Sequence, residues 1–244
     1  ALPHLEPFNY TAAASLQTQS GWTALNTGDN IVVGSGSLSY AGLPASTFNK
    51  ISFDGAGIDA AKAFTSQSVA GTTVYYSFLM NVTALGTLGA TGGYFTGLTD
   101  ASTGFGATVW TRLDGAGYDI GFAPRTSAPT SWSSVRTLNT TVFVVVSYQL
   151  VSGTTNDIVK MWINPATGGT EPAATFTITN TGTDLTSVQR ILVRQDNATN
   201  TPFIEMDEMR VGLTWADVTP VGGVPVVSGG SVSGTVGTLL SPVY

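Results

Sequence analysis

The chain contains no cysteine. Disulfides, thiolate catalysis and Cys-ligated metals are thereby excluded. The 244 residues are enough to bury a large core without such staples. Charge is scarce as well: Asp, Glu, Lys and Arg make up 10% of the residues, against roughly 25% in ordinary soluble domains. Gly, Ser and Thr take their place, which gives the neutral, hydroxyl-rich surface suited to an extracellular protein. The nine Lys and Arg are dispersed and the net charge is −6, so no basic stripe exists for nucleic acid. No apolar run approaches the ~18 residues of a membrane span. The single histidine, His4, has no neighbouring ligand pattern, and the expectation for it is a solvated tail residue. No phosphate-binding loop, nucleophile elbow or zinc motif occurs. Four Asn-x-Thr sequons, headed by Asn9, Asn81, Asn139 and Asn197, fit the Thr-rich composition.

What is present is a succession of short strands. Helical periodicity is confined to one short Ala-rich stretch, Thr11 to Gln19, where a turn competes with a helix. Strand patterns cover Asn30–Val33, Gly36–Tyr40, Lys50–Phe53, Ala60–Phe64, Thr72–Val82, Gly93–Thr99 and Phe105–Leu113. They continue over Tyr118–Phe122, Thr141–Leu150, Ile158–Asn164, Ala174–Thr179, Ser187–Gln195 and Phe203–Val211. Turn signals such as Asp54-Gly55, Asp114-Gly115 and Asn164-Pro165 separate them. Many strands without alternating helices predict an all-β, two-sheet antiparallel β-sandwich over residues 1–220. After Pro220 the chain turns Gly/Ser/Val-rich and loses all charge. Residues 221–244 are expected to be a linker and first strand leading into a further module. Otherwise residues 224–240 supply a strand that pairs with a neighbouring chain.

Several segments together resemble the concanavalin A-like (LamG-like) jelly-roll modules of secreted Bacteroidetes proteins. They are Glu6–Tyr10, Ser20-Gly21-Trp22, Ile51–Gly57, Val74–Phe78, Gly92–Phe95, Phe143–Tyr148 and Ile204–Asp217. The resemblance implies a concanavalin A-like jelly roll whose two ends meet in adjacent strands. It also implies a secreted or cell-surface location, with type IX secretion as the route. An export signal, if there was one, is expected to have been removed, since Ala1–His4 shows neither a basic nor an apolar region.

Three candidate sites follow. In this superfamily a structural Ca²⁺ often sits where first and last strands meet, and the matching residues are Glu6 and Asp207, with a carbonyl from the Asp54-Gly55 turn. The alternative is that Asp207 pairs with Arg210 or Arg194, or lies on a solvated face. The second candidate is catalytic. Glu205 and Asp207 share a strand face, with Glu208 expected on the opposite one, as a laminarinase-like glycosidase pair would begin. That family, however, carries Glu-x-Asp-x-x-Glu, and this chain has Arg210 at the third position. The third is a carbohydrate platform of Trp110, Arg112, Tyr118 and Arg125, with Trp132 in the loop nearby, because sugars stack on aromatic rings and bond to planar polar groups. Val109, Thr111 and Leu113 would then face inward. The function expected is a non-catalytic, lectin-like module for adhesion, glycan or matrix binding. A surface-filament subunit and a glycoside hydrolase are the competing readings.

Overall fold

The computed structural model describes residues 1–102 and 104–222. Most of the tail, residues 223–244, lies outside the described residues, and with it the expected linker or pairing strand.

Fifteen strands run in chain order: β1 His4–Glu6, β2 Trp22–Ala24, β3 Val32–Gly34, β4 Lys50–Phe53, β5 Ala60–Gln67, β6 Thr73–Ala84, β7 Gly93–Thr99, β8 Phe105–Asp114, β9 Gly117–Ala123, β10 Ser131–Trp132, β11 Val142–Gln149, β12 Ile158–Ile163, β13 Phe176–Thr179, β14 Val188–Val193 and β15 Phe203–Gly212. One helical turn, α1 Trp215–Val218, follows. The Thr11–Gln19 stretch contains only a three-residue 3-10 turn, Leu16–Thr18.

The strands form two antiparallel sheets. The eight-stranded sheet has the order β13-β12-β11-β6-β15-β4-β3, with β1 also against β15. The seven-stranded sheet has the order β10-β9-β8-β7-β14-β5-β2. The first strand therefore meets the last, with Glu6 opposite Met209 and His4 opposite Val211. His4 is not a tail residue: it is part of β1, with Nε2 buried and unpartnered. Burial, aided by the Lys62 charge, lowers its pKa.

The main core lies between the sheets and includes Phe78, Phe95, Val109, Ile120, Phe122, Val144 and Met206. A second apolar cluster sits on the outer side of the eight-stranded sheet, where Leu79, Phe143, Val145 and Trp162 pack under Leu38, Leu43, Trp215 and Val218. This is why β6 and β11 are apolar on both faces: each has a core beneath it and a lid above it. The lid also explains why Gly36–Tyr40 is no strand. Its Leu38 packs on the sheet's outer face, and its backbone N–H bonds to a side chain, Asp207, instead of a neighbouring strand. The turn α1 is fixed by a capping box, in which Thr214 Oγ1 accepts from the Asp217 N–H while the Asp217 carboxylate accepts from the Thr214 N–H at 2.9 Å.

Candidate functional site

β8 is where chemistry-bearing side chains line up. Its inner positions Val109 and Leu113 join the core, and Thr111 is buried. Trp110 and Arg112 occupy the other face, as the period-2 alternation requires. Directly opposed residues of antiparallel strands share a face. Tyr94 of β7 and Gly121 of β9 both lie opposite Trp110, and Trp132 of β10 lies opposite Gly121. A row Trp132–Gly121–Trp110–Tyr94 thus crosses four neighbouring strands on the outer side of the seven-stranded sheet, spanning roughly 14 Å at the usual strand spacing.

Each end of the row carries an arginine. The Arg112 guanidinium lies 4.2 Å from the Trp132 ring centroid, and that of Arg194 lies 4.2 Å from the Tyr94 ring centroid. Both are held in plane by carboxylates. Arg112 donates from Nε and Nη2 to Asp119 Oδ2 at 2.9 and 2.8 Å, across the β8–β9 register. Arg194 bonds Asp196 at 2.9 Å and approaches Asp59 at 3.6 Å. Burial raises the Asp59 pKa to about 6 against the pull of Arg194. Burial alone would raise Asp196 too, but hydrogen bonds from Arg194 and Asn200 outweigh it and the net shift is downward. Trp110 is mostly buried between these pairs, its ring 5.4 Å from that of Tyr94 and its indole N–H on Thr108 Oγ1 at 2.9 Å. The glycine matters: a Cβ on Gly121 would come within 2.5 Å of the Trp132 ring.

Of the four residues proposed for a platform, the structure brings Trp110 and Arg112 together and leaves two elsewhere. Tyr118 is wholly buried in the main core, because on β9 it alternates with the outward Asp119. Arg125 lies past the end of β9, where its Nε donates to the Phe105 carbonyl at 2.6 Å and its Nη1 to the Thr183 carbonyl. Tyr94, Asp119 and Arg194 escaped the sequence reading. Their strands were legible, but cross-strand register was not.

The carboxylates of the β1–β15 seam are also separated. Glu6 faces inward. Its oxygens accept from the Phe8 N–H at 3.0 Å, the Tyr10 hydroxyl at 2.8 Å and the Trp22 indole at 3.1 Å, and it forms an ion pair with Lys62. Asp207 is opposite Leu79 and faces outward, fully buried beneath the Leu38 loop. It accepts from the N–H groups of Leu38 at 2.8 Å and Glu208 at 2.7 Å. Burial raises its pKa to about 7. The two carboxylates lie on opposite faces of one sheet, so they do not fit a shared Ca²⁺, and no cluster of three metal-ligating side chains occurs among the described residues. Asp207 pairs with neither Arg210 nor Arg194. A bulge between Asp207 and Arg210, with Glu208 at φ 51°, turns Glu208 toward Arg210 to form a buried ion pair. Glu205 is outward, tied to Lys50 at 2.8 Å and to Asn81 at 3.1 Å.

No protein-family profile matches the chain, and no curated protein is similar to it. Solved structures are. An engineered GH43 glycoside hydrolase with endo-xylanase and exo-arabinofuranosidase activity aligns with a TM-score of 0.50 at 11% identity, over 87% of this chain. The chain spans 41% of that enzyme's length. The fold they share is a two-sheet antiparallel β-sandwich. The potassium-bound carbohydrate recognition domain of Emp46p aligns at a TM-score of 0.44 and 10% identity, over 83% of this chain and 96% of that one. The CBM2 module of the evolved Dit of Lactobacillus casei BL23 phage J-1 gives 0.43 and 9%, over 86% and 96%. At these identities the likeness is one of fold alone. Among the described residues, no helix is long and apolar enough to cross a membrane.

Proposed function

We propose that this jelly roll is a non-catalytic, lectin-like module that binds an extended glycan across the outer face of its seven-stranded sheet, within a larger secreted or cell-surface protein. The observation that carries the reading is the in-register row Trp132–Gly121–Trp110–Tyr94 with Arg112 and Arg194 against its end rings. Carboxylate anchors fix the planes of both guanidinium groups, so their remaining N–H groups are preorganised donors for sugar hydroxyls. The partly exposed edges of Trp132 and Tyr94 offer apolar surface for sugar C–H groups. The row runs across the strands, which suits a chain of sugars better than a single ring.

The non-catalytic part rests on Glu205 and Asp207. A glycosidase needs both carboxyl groups flanking the same bond. Here Glu205 is neutralised by Lys50, and Asp207 is sealed from solvent. Glycan-array screening followed by titration tests the proposal. Trp132→Ala and Tyr94→Ala are expected to weaken binding at least tenfold each, while Glu205→Gln leaves it unchanged. Binding that survives both aromatic substitutions, or a chain that binds no glycan, overturns the platform. Steady release of reducing ends overturns the non-catalytic assignment.

A further inference from the structure

The chain has nine Lys and Arg. Six of them, Lys50, Lys62, Arg112, Lys160, Arg194 and Arg210, have a carboxylate within ion-pair distance. Arg125, Arg136 and Arg190 have none among the described residues. In a protein with 15 acidic residues, a basic group without a carboxylate partner is the exception. Two of the three line clefts. The cleft beside Arg136 also contains Asp114, which would oppose an anion. The cleft beside Arg125 is lined by no acidic residue.

That cleft opens on the flank where the edges of the two sheets face each other, between the β9–β10 loop and the end of β13. It has a volume of about 390 Å³, within the roughly 300–1,000 Å³ of small-molecule pockets. Pro124, Ala128 and Ile178 supply apolar wall, and the hydroxyls of Ser127, Thr130 and Thr181 supply polar rim. The Arg125 guanidinium is locked by the carbonyls of Phe105 and Thr183 through Nε and Nη1. Its Nη2 makes no hydrogen bond within the described residues. Two carboxylates lie behind the cleft and both are occupied: Asp157 accepts from the Tyr148 hydroxyl at 2.6 Å and the Val151 N–H at 2.7 Å, and Asp184 accepts from the N–H groups of Asn156 at 2.8 Å and Asp157 at 3.1 Å and from the Asn180 amide at 2.7 Å. Arg125 is therefore a fixed, half-buried cation whose neighbours are carbonyls.

We infer that the Arg125 cleft is a second binding site, separate from the sheet face, that takes a carboxylated sugar ring. The carboxylate meets the Nη2 side of the guanidinium, the C–H face of the ring packs on Ile178 and Pro124, and the ring hydroxyls meet the Ser/Thr rim. The inference rests on the cleft alone and stands or falls independently of the sheet-face platform.

The test is titration of the whole chain with sodium glucuronate, with glucose and sodium acetate as controls, followed by NMR or calorimetry. Glucuronate is expected to bind at least tenfold more tightly than either control. Thr181→Trp fills the cleft from an exposed position that makes no hydrogen bond, and is expected to abolish binding in a folded protein. Arg125→Lys keeps the charge but loses the locked fork, and is expected to weaken binding at least tenfold. Tyr94→Ala, on β7 and with no hydrogen bond to a residue of the cleft, is expected to leave glucuronate binding intact, which separates this site from the platform. No response to glucuronate, equal binding of glucose, acetate binding as well as glucuronate, or persistence of binding in Thr181→Trp each overturns the inference. Undiminished affinity in Arg125→Lys overturns the role of the guanidinium fork.

Discussion

Asp207 shows how a single carboxylate is altered by what covers it. Burial raises its pKa from 3.8 to about 7, against two backbone hydrogen bonds that favour the charged form. Between these pH values the folded chain holds a proton that the unfolded chain has lost. Stability from this group is therefore complete below about pH 4 and is lost as pH rises toward about 7, with a slope of up to ~1.4 kcal/mol per pH unit. Asp59, raised to about 6, acts in the same direction over a narrower window, and His4, lowered, acts in the opposite direction. Melting curves from pH 4 to 8 are expected to show a fall in Tm across pH 5–7, and Asp207→Asn to flatten it. An unchanged slope in the variant would refute the assignment. Glu6 is also buried, and it accepts from the Phe8 N–H, the Tyr10 hydroxyl and the Trp22 indole and pairs with Lys62. Glu6→Gln leaves Lys62 without its counter-charge and is expected to cost about 3 kcal/mol in denaturant unfolding. Because the two carboxylates lie on opposite sheet faces, the Tm changes in both variants are expected to be the same in calcium and in EDTA. A Tm difference that appears only in calcium would restore a metal to that seam.

At the scale of elements, the β8–β9–β10 ribbon decides the platform. Gly121 lets the Trp132 ring lie down beside the strand, where Arg112 meets it. Gly121→Ala puts a methyl group 2.5 Å from that ring. It is expected to lower stability by about 1–3 kcal/mol and to shift Trp emission as the indole moves out. Unchanged fluorescence and Tm would mean that the ring has room to yield. The last turn is a second element-level case. The capping box of α1 holds Trp215 and Val218 over the outer face of β6 and β11. Thr214→Ala removes one half of the box and is expected to cost about 1 kcal/mol in denaturant unfolding. The Thr-x-x-Asp pattern that announces this turn stands in the sequence at Thr214–Asp217, but a four-residue helix gives no periodicity to read.

At the scale of the molecule, β15 is the keystone, set between β6 and β4 with β1 against its far half. A chain ending at Pro202 would expose the inner edges of β6 and β4 together, and is expected to lose the cooperative unfolding transition altogether. The sequence by itself determined the class of fold. Period-2 alternation interrupted by Gly, Pro and Asp turns admits little besides an all-β chain, and runs apolar on both faces, as in β6 and β11, mark strands covered twice. It also determined that Trp110 and Arg112 share a face, since neighbours two apart on a strand must. Only the tertiary structure decided which strands lie side by side. Register placed Tyr94 and Trp132 in line with Trp110, and the edge-to-edge approach of the two sheets gave Arg125 its cleft. The same cause undid Glu6 with Asp207: the strands meet as the sequence suggested, but alternation along them sends the two side chains to opposite faces. Alternation is local and is written in the chain, whereas partner choice and register come from long-range packing, which no single segment encodes.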